Sequence, residues 1–189
     1  MDKAFFLDRD GVLIEEEHYI SDPAKVRLCA GVPESLRRMR SAGYKVIIIS
    51  NQAGIAKGYF TMKELKGIEA RVDELLAAED LALDGVYYCP HHAQGVVPEY
   101  SVECDCRKPK PGMLLAAAKD HNIDLAQSFM IGDRLTDLKA GLAAGCKAVA
   151  LVHTGYGAEQ DLSAFDPAVT IDAENMAQAT EELLKISCV

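Results

Sequence analysis

The run Phe5-Phe6-Leu7-Asp8-Arg9-Asp10-Gly11 decides how the rest of the chain is organised. Ala4 to Leu7 is apolar and too short for a helix, so it reads as a buried strand. It stops abruptly in two carboxylates and a glycine. Side chains of an extended segment alternate in direction, which puts Asp8 and Asp10 on one side, roughly 7 Å apart. Two negative charges at that separation call for a cation or a shared proton. Open parallel sheets take their ligands beyond the carboxyl ends of the strands, where this pair would lie. Alone, Asp-Arg-Asp-Gly could equally be a polar turn after a strand. The remaining sequence decides between the two.

The same event recurs along the chain. Tyr44 to Ile49 is a second buried strand and ends in Ser50-Asn51-Gln52-Ala53-Gly54. Val86 to Tyr88 is a third, running into Cys89-Pro90-His91-His92. Ser128 to Ile131 is a fourth, ending in Gly132-Asp133 with Asp137 one helical turn further on, and Lys147 to Val152 is a fifth. Ala168 to Ile171 is a possible sixth. Between them lie amphipathic segments. Val32 to Gly43 carries Pro33 in its first turn, and Thr61 opens another helix with Glu64 at capping-box spacing. Further helices are expected after Pro111, over Leu138 to Ala144, and over Met176 to Ile186. Alternating strands and helices predict an α/β fold, a doubly wound, mostly parallel sheet. Right-handed crossovers gather the strand ends on one edge, bringing together Asp8, Asp10, Ser50, Lys108, Asp133 and Asp137.

Two further patterns carry chemistry. Cys89-x-His91 and Cys104-x-Cys106 are two claws of thiolate and imidazole ligands, a set that suits a closed, structural tetrahedral Zn²⁺. His92 could stand in for His91, and free thiols are the plainer alternative. Cys29, Cys146 and Cys188 read as small core or terminal residues. Directly after the second claw comes Arg107-Lys108-Pro109-Lys110-Pro111-Gly112, a basic cluster stiffened by two prolines, as a phosphate-binding lysine needs. The strand-end carboxylates suit a hard cation such as Mg²⁺. The acidic run Glu15-Glu16-Glu17-His18-Tyr19 is a solvated loop or a wall of the same cleft. The assembled groups point to phosphoryl transfer through an aspartyl intermediate.

Length and composition bound the rest. With 189 residues, 49% hydrophobic and 26% charged, one globular domain over 1–189 is expected, its zinc loop at about 89–106. A net charge of −9 argues against nucleic-acid binding but not against a phosphate ligand held by local cations. Only four apolar residues separate Met1-Asp2-Lys3 from Asp8, and no run approaches the ~20 residues of a membrane span, so a cytoplasmic monomer is expected.

DRDGV, SNQ, RKPKPG and GDRxxD, in that order, resemble the four motifs of the haloacid dehalogenase-like phosphatases, over nearly the whole chain. CPHH and CDCRKP resemble the zinc-loop subfamily, whose members act on heptose bisphosphates or on histidinol phosphate. SNQAGIAKG, YYCPHH and CDCRKPKPGM are more similar to the heptose branch, which serves the synthesis of activated heptose for lipopolysaccharide or other surface glycans. Val12 departs from the Thr common in the wider family. The resemblance implies that Asp8 is the nucleophile and Asp10 the general acid and base, with Ser50 and Lys108 stabilising the phosphoryl group. Mg²⁺ would be held by Asp8, Asp133 and the backbone carbonyl of Asp10. Substrate contacts would come from Arg9, Glu16, Glu17, His18, Tyr19, Asn51, Gln52, Ala53, Arg107 and Arg134. The connections leave no room for a separate cap domain. Histidinol phosphate is the alternative substrate, and a receiver-like module that stores phosphate on Asp is the alternative of another class. The second acid at Asp10 favours turnover over storage.

Overall fold

A computed structural model describes residues 1–187; Cys188 therefore lies outside the described residues. Six strands form one parallel sheet: β1 (Lys3–Leu7), β2 (Tyr44–Asn51), β3 (Gly85–Cys89), β4 (Phe129–Gly132), β5 (Ala148–Val152) and β6 (Thr170–Ala173). Their order across the sheet is β3-β2-β1-β4-β5-β6. The chain reverses its direction of winding between β1 and β4, which opens a crevice beyond their carboxyl ends. Asp8 follows β1 and Asp133 follows β4, so both acids stand at that crevice.

Alternation along β1 explains the layering. Phe5 and Leu7 pack with α1 (Val32–Ser41), α2 (Met62–Ala77) and α5 (Met176–Ser187) through Leu36, Met39, Val72 and Leu183. Ala4 and Phe6 pack on the opposite face with α3 (Gly112–Asp120) and α4 (Leu135–Ala144) through Met113, Leu114 and Leu138. All four β1 residues are fully buried, which suits a central strand of a sheet covered on both faces. Burying each large apolar side chain contributes on the order of 2 kcal/mol, so the strand that carries Asp8 is firmly held.

The helix termini follow their sequence signals. Thr61 and Glu64 complete both halves of the capping box, and Gly145 ends α4 at φ 94°. The sixth strand begins two residues later than the expected Ala168, and Leu115 of α3 faces solvent. Among the described residues, no helix is long and apolar enough to cross a membrane.

Candidate active site

The chain leaves the extended conformation immediately after Asp8. The Arg9 carbonyl accepts hydrogen bonds from the backbone N–H groups of Leu13 and Ile14, curling residues 9–14 into a tight turn. Gly11 sits in this turn at φ 77°, where a Cβ would come within 2.6 Å of an Asp133 carboxylate oxygen. The turn gives the two acids different partners. Asp8 faces Lys108 at 3.0 Å. The Asp10 carboxylate instead receives both oxygens' worth of contacts from the Arg9 guanidinium, at 2.9 Å each. The Gln52 amide donates to Asp10 at 2.8 Å and to Ser50 Oγ at 3.0 Å. Arg9 is 2% exposed, and Asp10 pairs with its guanidinium.

Asp8, Asp133 and Asp137 place carboxylate oxygens within 4.8 Å of one another, all three residues buried. Lys108 lies among them, 3.0 Å from Asp8 and 2.6 Å from Asp137, and donates to the Ile49 carbonyl at 2.7 Å. Burial opposes the charge of this ammonium, but Asp137 and Asp8 outweigh it and hold its pKa above the usual lysine range. Three carboxylates facing one ammonium leave two negative charges uncompensated. The acids respond accordingly. Burial, with the Asp8 charge, pushes Asp133 up to about 8. Burial raises Asp8 to about 6 although Lys108 pulls it down. Asp133 Oδ1 is buried without a hydrogen-bond partner, while Oδ2 accepts from the Tyr156 backbone N–H at 2.9 Å. This all-oxygen set fits a hard divalent cation. Gly132 allows the close approach of Asp137, since a Cβ there would overlap the Asp137 side chain.

Lys108 is placed by Asn51. The Asn51 amide donates to the Lys108 carbonyl and its Oδ1 accepts from the Lys108 N–H, both at 3.0 Å. Asn51, Ala53, Glu16, Tyr19, Arg107 and Arg134 line a cleft of about 370 Å³ over Asp8 and Lys108. Gln52 and Arg9 line a small recess beside it. His18 faces a neighbouring hollow, and Glu17 is exposed on the flap formed by residues 15–20. Lys57, Thr136 and Gln160 also line the cleft, although no motif singled them out. Lys57 lies within SNQAGIAKG, where a cation seven residues past Ser50 was the available signal.

The four zinc-type ligands converge beside this cleft. Sγ of Cys106 is 3.0 Å from that of Cys89 and 3.1 Å from that of Cys104, and His91 Nδ1 is 3.4 Å from Cys106 Sγ. His91, the nearer of the two candidate histidines, occupies the fourth position. Four N/S atoms gathered this closely suit a tetrahedral ion such as Zn²⁺. The Arg107 guanidinium reaches the His91 carbonyl at 3.4 Å, which ties this cluster to the basic segment.

The HAD-hydrolase-like family model matches residues 105–179. The D-glycero-beta-D-manno-heptose-1,7-bisphosphate 7-phosphatase of Haemophilus influenzae is 46% identical over 155 residues, covering 82% of this chain and 84% of that protein. The chain belongs to the HAD-like phosphatases. The enzyme of the same name from Escherichia coli K12 is 43% identical to this phosphatase over 152 residues, 80% of each chain. The crystal structure of D,D-heptose 1,7-bisphosphate phosphatase from B. bronchiseptica, complexed with magnesium and phosphate, superposes with a TM-score of 0.84. Its sequence is 32% identical, and the match covers 97% of this phosphatase and 99% of that chain.

Proposed function

We propose that this phosphatase removes the 7-phosphate of D-glycero-D-manno-heptose 1,7-bisphosphate through a phosphoaspartyl intermediate on Asp8. The observation that carries the chemistry is the buried Asp8–Lys108–Asp133–Asp137 cluster, three carboxyl groups against one ammonium. Relatives at 43–46% identity that carry the heptose name support the substrate. Mg²⁺ would be held by Asp8, Asp133 and the Asp10 carbonyl, and supplies charge neutralisation for the transferring phosphoryl group when bound.

Asp8 attacks phosphorus from the carboxylate oriented by Lys108 and by the Arg9 backbone N–H, which donates to it at 2.8 Å. The bond from phosphorus to the sugar oxygen breaks, and Asp10 gives that oxygen a proton. Asp10 then takes a proton from water as the water attacks the phosphoaspartate, releasing phosphate and restoring Asp8. Ser50 and Lys108 stabilise the phosphoryl oxygens. Asn51 and Gln52 serve through Lys108 and Asp10, and Arg9 through Asp10, as well as lining the cavity. Asp137 balances Lys108. Lys57, Arg107 and Arg134 around the mouth suit the second phosphate of a bisphosphate. Zn²⁺ at Cys89, His91, Cys104 and Cys106 has no open position and is structural. The chain acts as one cytoplasmic domain, a monomer, with no nucleic-acid partner.

The test compares phosphate release from heptose 1,7-bisphosphate and from histidinol phosphate in Mg²⁺. A kcat/KM preference of about a hundredfold for the heptose, ~2.7 kcal/mol of transition-state discrimination, is expected. The reverse preference assigns the site to histidinol phosphate.

A further inference from the structure

Tyr156 lies outside every motif that carries chemistry, in the loop after β5, yet it touches three parts of the site. Its backbone N–H donates to Asp133 Oδ2 at 2.9 Å. The face of its ring lies 3.9 Å from the Arg134 guanidinium carbon. Its hydroxyl shares a 2.6 Å hydrogen bond with His18 Nδ1. His18 belongs to the flap, which crosses between the catalytic cleft and a second hollow of about 540 Å³ lined by Glu15, His18, Cys29 and Tyr156. The flap turns through two non-glycine residues in the left-handed region, His18 at φ 33° and Tyr19 at φ 60°. Such backbone persists where surrounding contacts impose it. Both residues are tethered: His18 to Tyr156, and Tyr19 to Lys57 Nζ at 2.9 Å from its hydroxyl, with its ring edge-on to Tyr59.

The geometry points to Tyr156 as a positioning residue that sets Arg134 and the flap for a ligand whose second phosphate lies at the mouth. Arg134 is exposed, and a free arginine loses much side-chain entropy when it captures a phosphate. Stacked on Tyr156, it is restricted before the ligand arrives. The hydroxyl bond holds the flap that supplies Glu16 and Tyr19 to the opposite wall. The ring thus couples the two walls through side-chain atoms, while the Asp133 contact uses only backbone and survives substitution. This assignment rests on the proposed bisphosphate reading of the site.

The experiment measures steady-state kinetics in Mg²⁺ for wild type, Tyr156→Phe, Tyr156→Ala, Arg134→Ala and the double variant. Heptose 1,7-bisphosphate, fructose 1,6-bisphosphate and fructose 6-phosphate are the substrates. Tyr156→Ala is expected to raise KM for the bisphosphates about tenfold, with kcat within about twofold and the monophosphate unaffected. Tyr156→Phe, which keeps the ring, should lose only part of this. The double variant should lose more than Arg134→Ala but less than the sum of the two single losses, because the stacking contribution is shared and the flap bond is not. Equal losses on monophosphate and bisphosphates, or additive losses in the double variant, overturn the assignment and leave Tyr156 a packing residue. If wild type fails to prefer the heptose but the cycle on fructose 1,6-bisphosphate is non-additive, the heptose reading falls and the role of Tyr156 stands.

Discussion

The carboxylate cluster and the Cys/His cluster sit side by side and solve opposite problems. The first is built on the ends of β1 and β4, elements buried on both faces. Its hydrophobic support holds like charges together and leaves an open side, which substrate can fill. The second is built on a loop whose residues 93–103 are mostly exposed, Val96 and Val102 among them. There the ligands themselves hold the structure, and four of them close the site. One region uses the fold to create a metal demand; the other would use a metal to create a fold.

The largest expected effect separates chemistry from architecture in the first region. Asp8→Asn should lower kcat by about 10⁴-fold or more, since the nucleophile is lost, with its melting temperature within a few degrees of wild type. A variant that keeps near wild-type phosphate release would falsify the covalent route. The second region should behave the other way round. Cys106→Ser, or removal of zinc by a chelator, should lower the melting temperature by about 10 °C, since a broken structural site costs several kcal/mol. Restored melting on adding Zn²⁺ but not Mg²⁺ would tie the loss to this cluster, and unchanged melting would make the four residues ordinary thiols and imidazole.

The third prediction uses pH to sharpen the contrast. Asp133, raised from 3.8 to about 8, and Asp8, raised to about 6, bind protons more tightly folded than unfolded. Their burial therefore costs nothing below pH 4 and destabilises the Mg²⁺-free fold progressively as pH rises from about 4 to 8. Thermal melts should show Mg²⁺ stabilising the protein more at pH 8 than at pH 5, by a few degrees. Equal Mg²⁺ effects at both values would remove the uncompensated-charge account. The smallest effect is a control at the start of α2, outside both clusters: Thr61→Ala should cost about 1 kcal/mol, a few degrees of melting temperature, through loss of the capping box. Its kcat and KM should not change.

Much of this arrangement was legible in the sequence because it is carried by short-range patterns. Apolar runs ending in acid or Ser-Asn-Gln mark strand termini, and a doubly wound sheet leaves those termini little freedom about where to gather. The paired claws likewise announce themselves by spacing. What failed to show was whatever depends on the chain turning away from its local pattern. Alternation placed the carboxylates of Asp8 and Asp10 together, but the turn closed on the Arg9 carbonyl hands Asp10 to Arg9 and Gln52. Lys57, Gln160 and Tyr156 have no periodic signature, being loop residues that meet the cleft only through tertiary folding. The late start of β6 reflects pairing with β5, Thr170 opposite Val149, which an apolar Ala168-Val169 run could not reveal.

Asn51 holds Lys108 by two hydrogen bonds that copy the reciprocal pairing of neighbouring strands, across 57 positions of sequence. Lys108 consequently takes its register from β2 and not from the chain that precedes it. The loop between His92 and Glu103 is held separately, with the backbone N–H groups of Val96 and Val97 donating to the Ala56 carbonyl at 2.8 and 3.0 Å. Arg107 and Lys108 carry the far end of this loop into the cleft, so the loop bears on the mouth through these two side chains.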